Sequence, residues 1–272
     1  RYGFRVQILK RVERFVARRA KKIIVPSQYL RKIVVAWGIP EDKIFVVYNA
    51  YLLPVSLSAW SRRTGIGEKA RLGWTEKKVL ISAGRLVPWK GFAMLIEIMP
   101  DLLELFPDLL LVIIGDGPDR EVLKDKKEKL GLGERVDFTG SLSHTEVMGR
   151  LVASDIFVLN TAYEGFSHQL LEAMVVGKPI ITTKAGGNPE LINEESAFTV
   201  DFNDADGFKA KISDIFRSGL NLTLLSSTEG SQNHFMVGEE VRRRIRNAHE
   251  NAKKISKDFS ADRMIEATLK VL

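Results

Sequence analysis

Residues 78–114 read KVLISAGRLVPWKGFAMLIEIMPDLLELFPDLLLVII, and this stretch decides the fold. Val79–Ala83 and Leu109–Ile114 are almost continuously apolar, which predicts two strands, and Gly91–Phe106 between them predicts a helix. Strands that are apolar along their length, rather than alternating, are buried on both faces, as in a parallel sheet covered by helices. The stretch therefore predicts one strand–helix–strand unit of an α/β domain.

The same alternation continues along the chain and predicts a Rossmann-like, doubly wound parallel sheet, which we assign to residues 78–258. Upstream, a helix capped by Ser27 separates two short strands, so residues 1–54 are interpreted as a remnant of a second α/β domain. Residues 55–77 carry glycines and mixed charges, which favours an irregular linker. Residues 259–272 are expected to form a C-terminal helix that packs back on the N-terminal part.

The composition is that of a soluble globular protein: 272 residues, 45% hydrophobic and 28% charged. The absence of cysteine excludes disulfides, thiolate metal ligands and cysteine nucleophiles. No apolar run approaches the roughly 20 residues of a membrane-spanning helix, and no secretory leader is visible at the start. These features predict a cytoplasmic location.

The net charge of +7 favours anionic partners such as phosphates. The excess charge is concentrated in Arg1–Lys22 and Arg242–Lys257. Each segment is either a solvated helix face or a contact with an anionic membrane, where the protein would lie peripherally at the inner face. Nucleic acid is not an expected partner, because no recognisable motif interleaves aromatic with basic residues. A polar loop is predicted at 222–234 and a charged helix at Glu239–Lys257.

In an open parallel sheet, ligands bind at the carboxyl ends of the strands, so the loops that follow strands are the candidate sites. The loop from Gly84 to Gly91 places two permanent cations, Arg85 and Lys90, after the first strand of the main domain. Such a pair could hold a diphosphate and neutralise charge as it leaves. The alternative is that both cations are simply solvated on the surface.

Two glycine-containing loops are weaker evidence for a ligand site. Gly115 and Gly117 form half of a dinucleotide fingerprint, but a tight turn before a helix that starts at Pro118 fits better. The backbone at Gly115 could still border a nucleotide base. The loop Ala185–Glu190 either packs against a ligand or is a plain glycine turn.

The segment EGFSHQLLE, residues 164–172, carries two glutamates. Glu164 lies in a loop after a strand, and Glu172 lies in the second turn of the helix that follows. The free N–H groups near Ser167 to Leu170 form an anion site at the start of this helix. Glu164 could accept hydrogen bonds from a sugar and Glu172 from a ribose. The alternatives are a surface loop residue and a solvated helix residue, although Glu172 lies among apolar neighbours and an acid there needs a partner.

Other polar residues are interpreted structurally. Asp204 is predicted to cap a helix rather than to form a metal-binding pair with Asp206. His144 is predicted to be a turn residue at a helix start rather than a base. None of the four histidines is spaced from another as metal ligands are, and no metal site is expected.

The segments AGRLVPWKG (83–91), LVIIGDGPDRE (111–121), VDFTG (136–140) and ASDIFVLNTAYEGFSHQLLEAMVVGKPIITTKAGGNPELI (153–192) resemble those of a known family. They are similar to the group 1, family 4-like retaining glycosyltransferases of the GT-B fold. The resemblance implies that residues 78–258 bind a nucleotide-sugar donor. Arg1–Asn49 resembles only the last unit of the family's acceptor-side N-terminal domain.

The family's functional residues are carried over by position. Arg85 and Lys90 would bind the donor diphosphate, Glu164 would contact the donor sugar and Glu172 the ribose. Amides near Gln169 and Leu170 would hold the distal phosphate. The implied catalytic residues are Arg85, Lys90 and Glu164, and the implied donor-binding residues are Gly84, Gly115, Gly165, Phe166, Ser167, His168, Gln169, Leu170 and Glu172.

The resemblance implies an enzyme that needs neither metal nor cofactor and transfers a sugar to a sugar, a lipid-linked alcohol or a small-molecule acceptor with retention of configuration. Two alternatives remain. The chain could be a non-catalytic nucleotide-sugar-binding module or an inactive half. It could also catalyse another reaction on the same fold, as a sugar-nucleotide epimerase or a phosphorylase does.

Overall fold

The computed structural model of the chain describes residues 4–50, 62–192, 197–218, 239, 241–244, 247 and 258–271. Residues 55–61 of the predicted linker, the predicted loop at 222–234 and most of the predicted helix at Glu239–Lys257 lie outside the described residues.

The N-terminal part forms a small α/β unit. Its elements are α1 (Phe4–Arg19), β1 (Ile23–Val25), α2 (Gln28–Ala36) and β2 (Ile44–Val46). The two strands pair in parallel, as a crossover through α2 requires. Ser27 caps α2 as predicted, because its side chain accepts a hydrogen bond from the Leu30 N–H at 3.1 Å. This strand–helix–strand unit agrees with the predicted α/β fold class, whereas its assignment as the remnant of a separate domain stays a prediction.

Six parallel strands form the main sheet in the order β5-β4-β3-β6-β7-β8. They are β3 (Lys78–Ala83), β4 (Leu109–Ile114), β5 (Val136–Gly140), β6 (Ile156–Leu159), β7 (Ile180–Thr182) and β8 (Phe198–Thr199). The chain runs outward from β3 to β5 and then returns to place β6 on the other side of β3. This order is that of a doubly wound Rossmann-like sheet, which confirms the predicted fold class.

Helices cover both faces of the main sheet. They are α3 (Arg62–Arg71), α4 (Phe92–Glu97), α5 (Met99–Leu105), α6 (Arg120–Lys129), α7 (His144–Ala153), α8 (His168–Val175) and α9 (Ala205–Arg217), with α10 (Ala261–Val271) at the C-terminus. Leu80 of β3 packs in a core with residues of α4, α5 and α9, whereas Val79 and Ile81 pack in a second core with residues of α7 and α8. Burial on both faces explains why the strands are apolar along their length. Among the helices that the structure describes, none has the length and apolar character needed to cross a bilayer.

The single helix predicted at Gly91–Phe106 is wrong in one respect, since it is divided into α4 and α5. Pro100 lies in the first turn of α5 and has no N–H to donate to the preceding turn. The predicted cap at Asp204 is confirmed, because its carboxylate accepts a hydrogen bond from the Gly207 N–H at 3.0 Å.

The prediction of an irregular linker is wrong for residues 62–71, which form α3. A Cβ atom on Gly65 would lie 2.8 Å from the Val152 carbonyl oxygen, so the glycine lets α3 approach α7 closely. The Lys69 ammonium forms a buried ion pair with Asp155 at 2.9 Å, and Asp155 also accepts a hydrogen bond from the Val79 N–H at 2.8 Å. These contacts attach α3 to the amino edge of the main sheet.

The C-terminal helix contacts the N-terminal unit. The Lys22 ammonium donates to the Val271 carbonyl oxygen, and the Tyr48 and Phe259 rings pack edge to face at 5.8 Å. An open pocket of about 250 Å³ is lined by residues 46–48 on one side and by residues of α10 on the other. The division of the chain at residue 258 itself stays a prediction.

Candidate active site at the carboxyl edge of the sheet

The candidate site lies where the direction of strand addition reverses, between β3 and β6. The loops that leave two such strands run to opposite faces of the sheet and leave a crevice between them, which is where open α/β sheets bind ligands. Gly84 to Gly91 follows β3, and Asn160 to Ser167 follows β6. The two loops carry Lys90 and Glu164, the residues that the sequence singled out.

Lys90 and Glu164 are in contact. The loop after β3 ends in a short 3-10 helix, Pro88–Lys90, which turns the Lys90 side chain back over Gly84. A Cβ atom on Gly84 would lie 3.7 Å from the Lys90 Cε atom, so the lysine passes directly over this glycine. Its ammonium donates to the Glu164 carboxylate, and the two side chains are only 11% and 14% exposed. A nearly buried cation and anion thus meet in the crevice.

Two buried polar residues at the end of β6 hold this geometry, and the sequence analysis did not identify them. The Asn160 amide donates to the Gly91 carbonyl oxygen at 3.0 Å and exchanges hydrogen bonds with Asn203. The Thr161 hydroxyl lies within hydrogen-bond distance of the carbonyl oxygens of Trp89 and Tyr163, at 3.2 and 2.9 Å. Thr161 thereby fixes the residues that precede Lys90 and Glu164. A polar Asn-Thr pair directly after an apolar strand was the available signal.

The loop Ala185–Glu190 supports the backbone of Glu164. The Gly187 N–H donates to the Glu164 carbonyl oxygen at 2.8 Å. Gly186 has φ +58°, and a Cβ atom there would lie 1.9 Å from the same oxygen. The glycines therefore serve the close approach of two loops, the structural one of the two interpretations that the sequence left open.

Gly115 and Gly165 also serve close packing of loops. A Cβ atom on Gly115 would lie 2.0 Å from the Gly84 carbonyl oxygen, so the loops after β3 and β4 touch through their backbones. A Cβ atom on Gly165 would lie 3.1 Å from a methyl carbon of Leu30 in α2. The close contacts with neighbouring loops and with α2 thus explain why both positions are glycine.

The start of α8 differs from expectation at two residues. The Leu170 N–H, which we expected to face a phosphate, donates instead to the buried Ser167 side chain at 3.2 Å. Phe166 is buried, with its ring 5.6 Å from Tyr48 and 5.8 Å from Phe259. The Phe166 ring is therefore occupied by packing and is not available to stack on a donor.

The first-turn amides of His168 and Gln169 are the ones that an α-helix cannot use internally. His168 is exposed and Gln169 is half-buried. Arg85 is exposed at the end of β3 and, among the residues that the structure describes, forms no ion pair with Glu164 or Glu172. The cation nearest to the glutamate loop is thus Lys90, with Arg85 further toward solvent.

Glu172 has a partner that the sequence did not predict. His144, the first residue of α7, places its Nε2 atom 3.2 Å from a carboxylate oxygen of Glu172. The neighbours of Glu172 in α8, Leu170, Leu171, Ala173 and Met174, are buried, and removal from water raises the pKa of its carboxyl group. The sequence indicated that Glu172 needs a partner. It did not identify His144 as that partner, because α7 and α8 are separate in the sequence.

The small N-terminal unit meets the site through Glu190. Its carboxylate accepts hydrogen bonds from the backbone N–H groups of Gln28 and Tyr29, both at 2.7 Å, and from the Tyr48 hydroxyl at 3.0 Å. Burial and the neighbouring Glu190 carboxylate raise the pKa of Tyr48. Glu190 thus joins the first turn of α2 to the loop that supports Glu164.

No group of three or more His, Asp or Glu side chains within the described residues is arranged to hold a metal ion. The loop with Arg85 and Lys90 and the loop with Glu164 leave the same edge of the sheet, and Glu172 follows in the second turn of α8. This arrangement suits a bound diphosphate whose attached groups offer hydroxyls to the carboxylates.

Two family descriptions match the chain. "Glycosyl transferases group 1" matches residues 68–228, and "Glycosyltransferase Family 4" matches residues 2–51. The first match contains the loops after β3, β4, β5, β6 and β7. The second covers the small N-terminal unit.

Comparison with individual proteins also finds glycosyltransferases. An uncharacterized glycosyltransferase of Methanocaldococcus jannaschii is 32% identical over 178 residues, which cover 64% of this chain and 45% of that protein. A GDP-mannose-dependent α-(1-6)-phosphatidylinositol monomannoside mannosyltransferase of Mycolicibacterium smegmatis is 31% identical over 155 residues, or 54% of this chain and 41% of that protein. The matched region thus spans less than half the length of either relative.

Anabaena HepE, solved in complex with UDP and glucose, is similar in structure with a TM-score of 0.75. The match covers 96% of this chain and 66% of that chain at 22% identity. A likeness at this identity concerns the fold, which is that of the GT-B glycosyltransferases.

Proposed function

Since the chain belongs to the group 1 glycosyl transferases, we propose that it transfers a sugar from a nucleotide diphosphate to an alcohol acceptor, with retention of configuration and without a metal ion. The observation that carries this proposal is the contact between Lys90 and Glu164 in the crevice between β3 and β6. A cation and a carboxylate side by side suit the junction of a phosphate and a sugar. The cation faces the phosphate and the carboxylate accepts from a sugar hydroxyl.

In the proposed reaction, the bond between the sugar's anomeric carbon and the diphosphate breaks, and the electron pair leaves with the diphosphate. Lys90, assisted by Arg85 and the first-turn amides of α8, stabilises the negative charge that grows on the leaving group. The acceptor oxygen forms the new bond on the same face of the sugar, and its proton passes to a diphosphate oxygen. Glu164 holds the sugar and Glu172 the ribose of the nucleotide.

The donor base and the sugar are open choices within this proposal. The Mycolicibacterium relative is described as using GDP-mannose, and the Anabaena structure holds UDP and glucose. These descriptions support a nucleotide-diphosphate donor in general and favour neither base.

We propose a lipid-linked acceptor, with the protein lying peripherally on an anionic membrane. In α1, five exposed apolar side chains recur at helical spacing along one face: Ile8, Leu9, Val12, Phe15 and Val16. The same helix is rich in Lys and Arg, a combination that favours an anionic lipid surface. Sedimentation with vesicles of phosphatidylglycerol and phosphatidylcholine tests this. Binding that Val12→Asp abolishes supports it, and equal binding to vesicles of phosphatidylcholine alone contradicts it.

The competing function is a nucleotide-sugar-binding module without catalysis. Release of nucleoside diphosphate from a donor sugar separates the two, because a binding module binds donor without releasing it. An epimerase would instead release the nucleotide sugar with its configuration changed.

The thermal midpoint of unfolding tests the shared premise of donor binding. A ligand that binds only the folded state raises this midpoint by mass action. We expect UDP, GDP or ADP at millimolar concentration to raise it in the presence of EDTA. No shift with any of the three contradicts a formed donor site, and a shift that needs magnesium contradicts metal independence.

A further inference from the structure

The contact between His144 and Glu172 joins two helices that follow different strands. His144 begins α7 after β5, and Glu172 lies in the second turn of α8 after β6. The Glu172 side chain is 14% exposed, whereas that of His144 is 41% exposed. The imidazole therefore lies between solvent and a nearly buried carboxylate, rather than inside the core.

The backbone at His144 is fixed independently of Glu172. Ser143 caps α7, and Glu146 returns a hydrogen bond to the Ser143 N–H at 2.9 Å, so the two form a capping box. Glu146 is thereby engaged by the cap. Holding the first residue of the helix in place also holds the imidazole above Glu172.

We propose that His144 is a positioning residue of the nucleotide site, which holds the Glu172 carboxylate in the orientation that accepts hydrogen bonds from the ribose hydroxyls. This inference rests on the proposed function, since it concerns the nucleotide of the donor. His144 approaches one oxygen of Glu172, and a carboxylate has two oxygens with about four acceptor sites. A carboxylate therefore has enough acceptor sites for the imidazole and for a vicinal diol at the same time.

A physical need for such a residue follows from the surroundings of Glu172. Burial among apolar side chains raises the pKa of the Glu172 carboxyl group and so favours its neutral form, and the contact with His144 opposes this. A neutral carboxyl group would present a hydroxyl to the ribose and would be a weaker acceptor. Without the imidazole, Glu172 would also be free to rotate away from the ligand.

Affinities for a ribonucleoside diphosphate and for its 2′,3′-dideoxy analogue test this inference. The two share base and diphosphate, and only the first offers hydroxyls to Glu172. We expect His144→Ala to weaken binding of the ribonucleotide about five- to tenfold, the range of one hydrogen bond, and to leave the dideoxy analogue within twofold. His144→Gln, which keeps an N–H donor, should restore most of the preference. Thr145→Ala, at the exposed neighbouring position, is the matched control.

The outcomes separate this inference from the proposed function. Wild-type chain that binds no nucleoside diphosphate overturns both. If wild type prefers the ribonucleotide, two results overturn only the role of His144. In the first, His144→Ala keeps the whole preference, and in the second it loses affinity for both ligands equally. Because the His144 side chain lies at the surface, 41% exposed, the variants should unfold at the wild-type temperature without ligand. A large drop would assign the residue to stability instead.

Discussion

The Lys90 ammonium and the Glu164 carboxylate form a nearly buried ion pair across 74 positions of sequence, where the loops after β3 and β6 meet. A buried pair of charges has a large desolvation penalty, so it adds little stability by itself. Because the pair lies in the crevice between the two loops, we infer that its role is to bind a ligand. A diphosphate can bind the Lys90 ammonium while the Glu164 carboxylate accepts a hydrogen bond from a sugar hydroxyl.

Loss of either cation should slow turnover more than it weakens donor binding. Arg85→Ala and Lys90→Ala each remove a charge that faces the leaving diphosphate, and such groups act most strongly in the transition state. We expect the rate of nucleoside diphosphate release to fall about a hundredfold or more. Lys124→Ala removes a surface lysine paired with Glu121 and is the control. Equal losses in rate and in affinity would assign both cations to binding alone.

Substitution of Glu164 should change the choice of sugar. In the proposed site its carboxylate accepts from a sugar hydroxyl, and a site built around such a bond rejects donors that cannot form it. We expect Glu164→Ala to narrow the difference in kcat/KM between the preferred donor and an epimer of its sugar. Competing donors that share one base measure this. An unchanged ratio with a lower overall rate would contradict sugar recognition by Glu164.

Glu190 should stabilise the junction of the small unit with the main domain. Glu190→Ala leaves the N–H groups of Gln28 and Tyr29 and the Tyr48 hydroxyl without this acceptor. We expect the free energy of unfolding to fall by about 1–3 kcal/mol, the cost of losing a helix-start acceptor and leaving partly buried donors unpaired. Glu41→Ala breaks an exposed ion pair with Arg31 in the same unit and should cost less than about 1 kcal/mol. Similar urea midpoints for the two variants would contradict this role.

Lys178 should make stability rise with pH under alkaline conditions. Burial lowers its pKa from 10.5 to about 8, while its ammonium donates to the carbonyl oxygens of Val152 and Ser154. Between these pKa values the unfolded chain binds more protons than the folded chain, so the free energy of unfolding increases as pH rises. Lys178→Met lacks this contribution. The stability of wild type relative to the variant should therefore increase from pH 8 to 10, by at most about 1.4 kcal/mol per pH unit.

The Lys178 comparison ends near pH 10 because Lys178 of the unfolded chain, with a pKa of 10.5, also loses its proton above that range. The pKa of Tyr48 is raised, so this tyrosine lowers the stability of the folded state above about pH 10. Tyr48 is present in both proteins, so its effect cancels in the difference. A difference that stays constant from pH 8 to 10, or that falls, would contradict the lowered pKa of Lys178.

The sheet was predictable because its signal is local. Strands such as Leu109–Ile114 are apolar along their length, and that pattern alone indicates burial on both faces. The helix α3 was missed because its stability comes from elsewhere in the chain. Gly65 suggested a linker, yet it is the residue that lets α3 pack on Val152 of α7.

The sequence predicted which residues belong to the candidate site better than it predicted which of them are in contact. The paired glutamates and the loop lysine were found from spacing and position, and the structure brings Lys90 to Glu164. The partner of Glu172 depends on how α7 packs beside α8, which no local pattern encodes. The family resemblance implied that Phe166 binds the donor, but its ring packs with Phe259.

The central claim is that a donor diphosphate binds at Lys90, and calorimetric titration of nucleoside diphosphate and monophosphate into wild type and Lys90→Met tests it most directly. Wild type should bind the diphosphate more tightly than the monophosphate with EDTA present, because the second phosphate reaches the lysine. Lys90→Met should lose most of that advantage and keep its affinity for the monophosphate. An advantage of the same size in both proteins would place the diphosphate elsewhere and contradict the account.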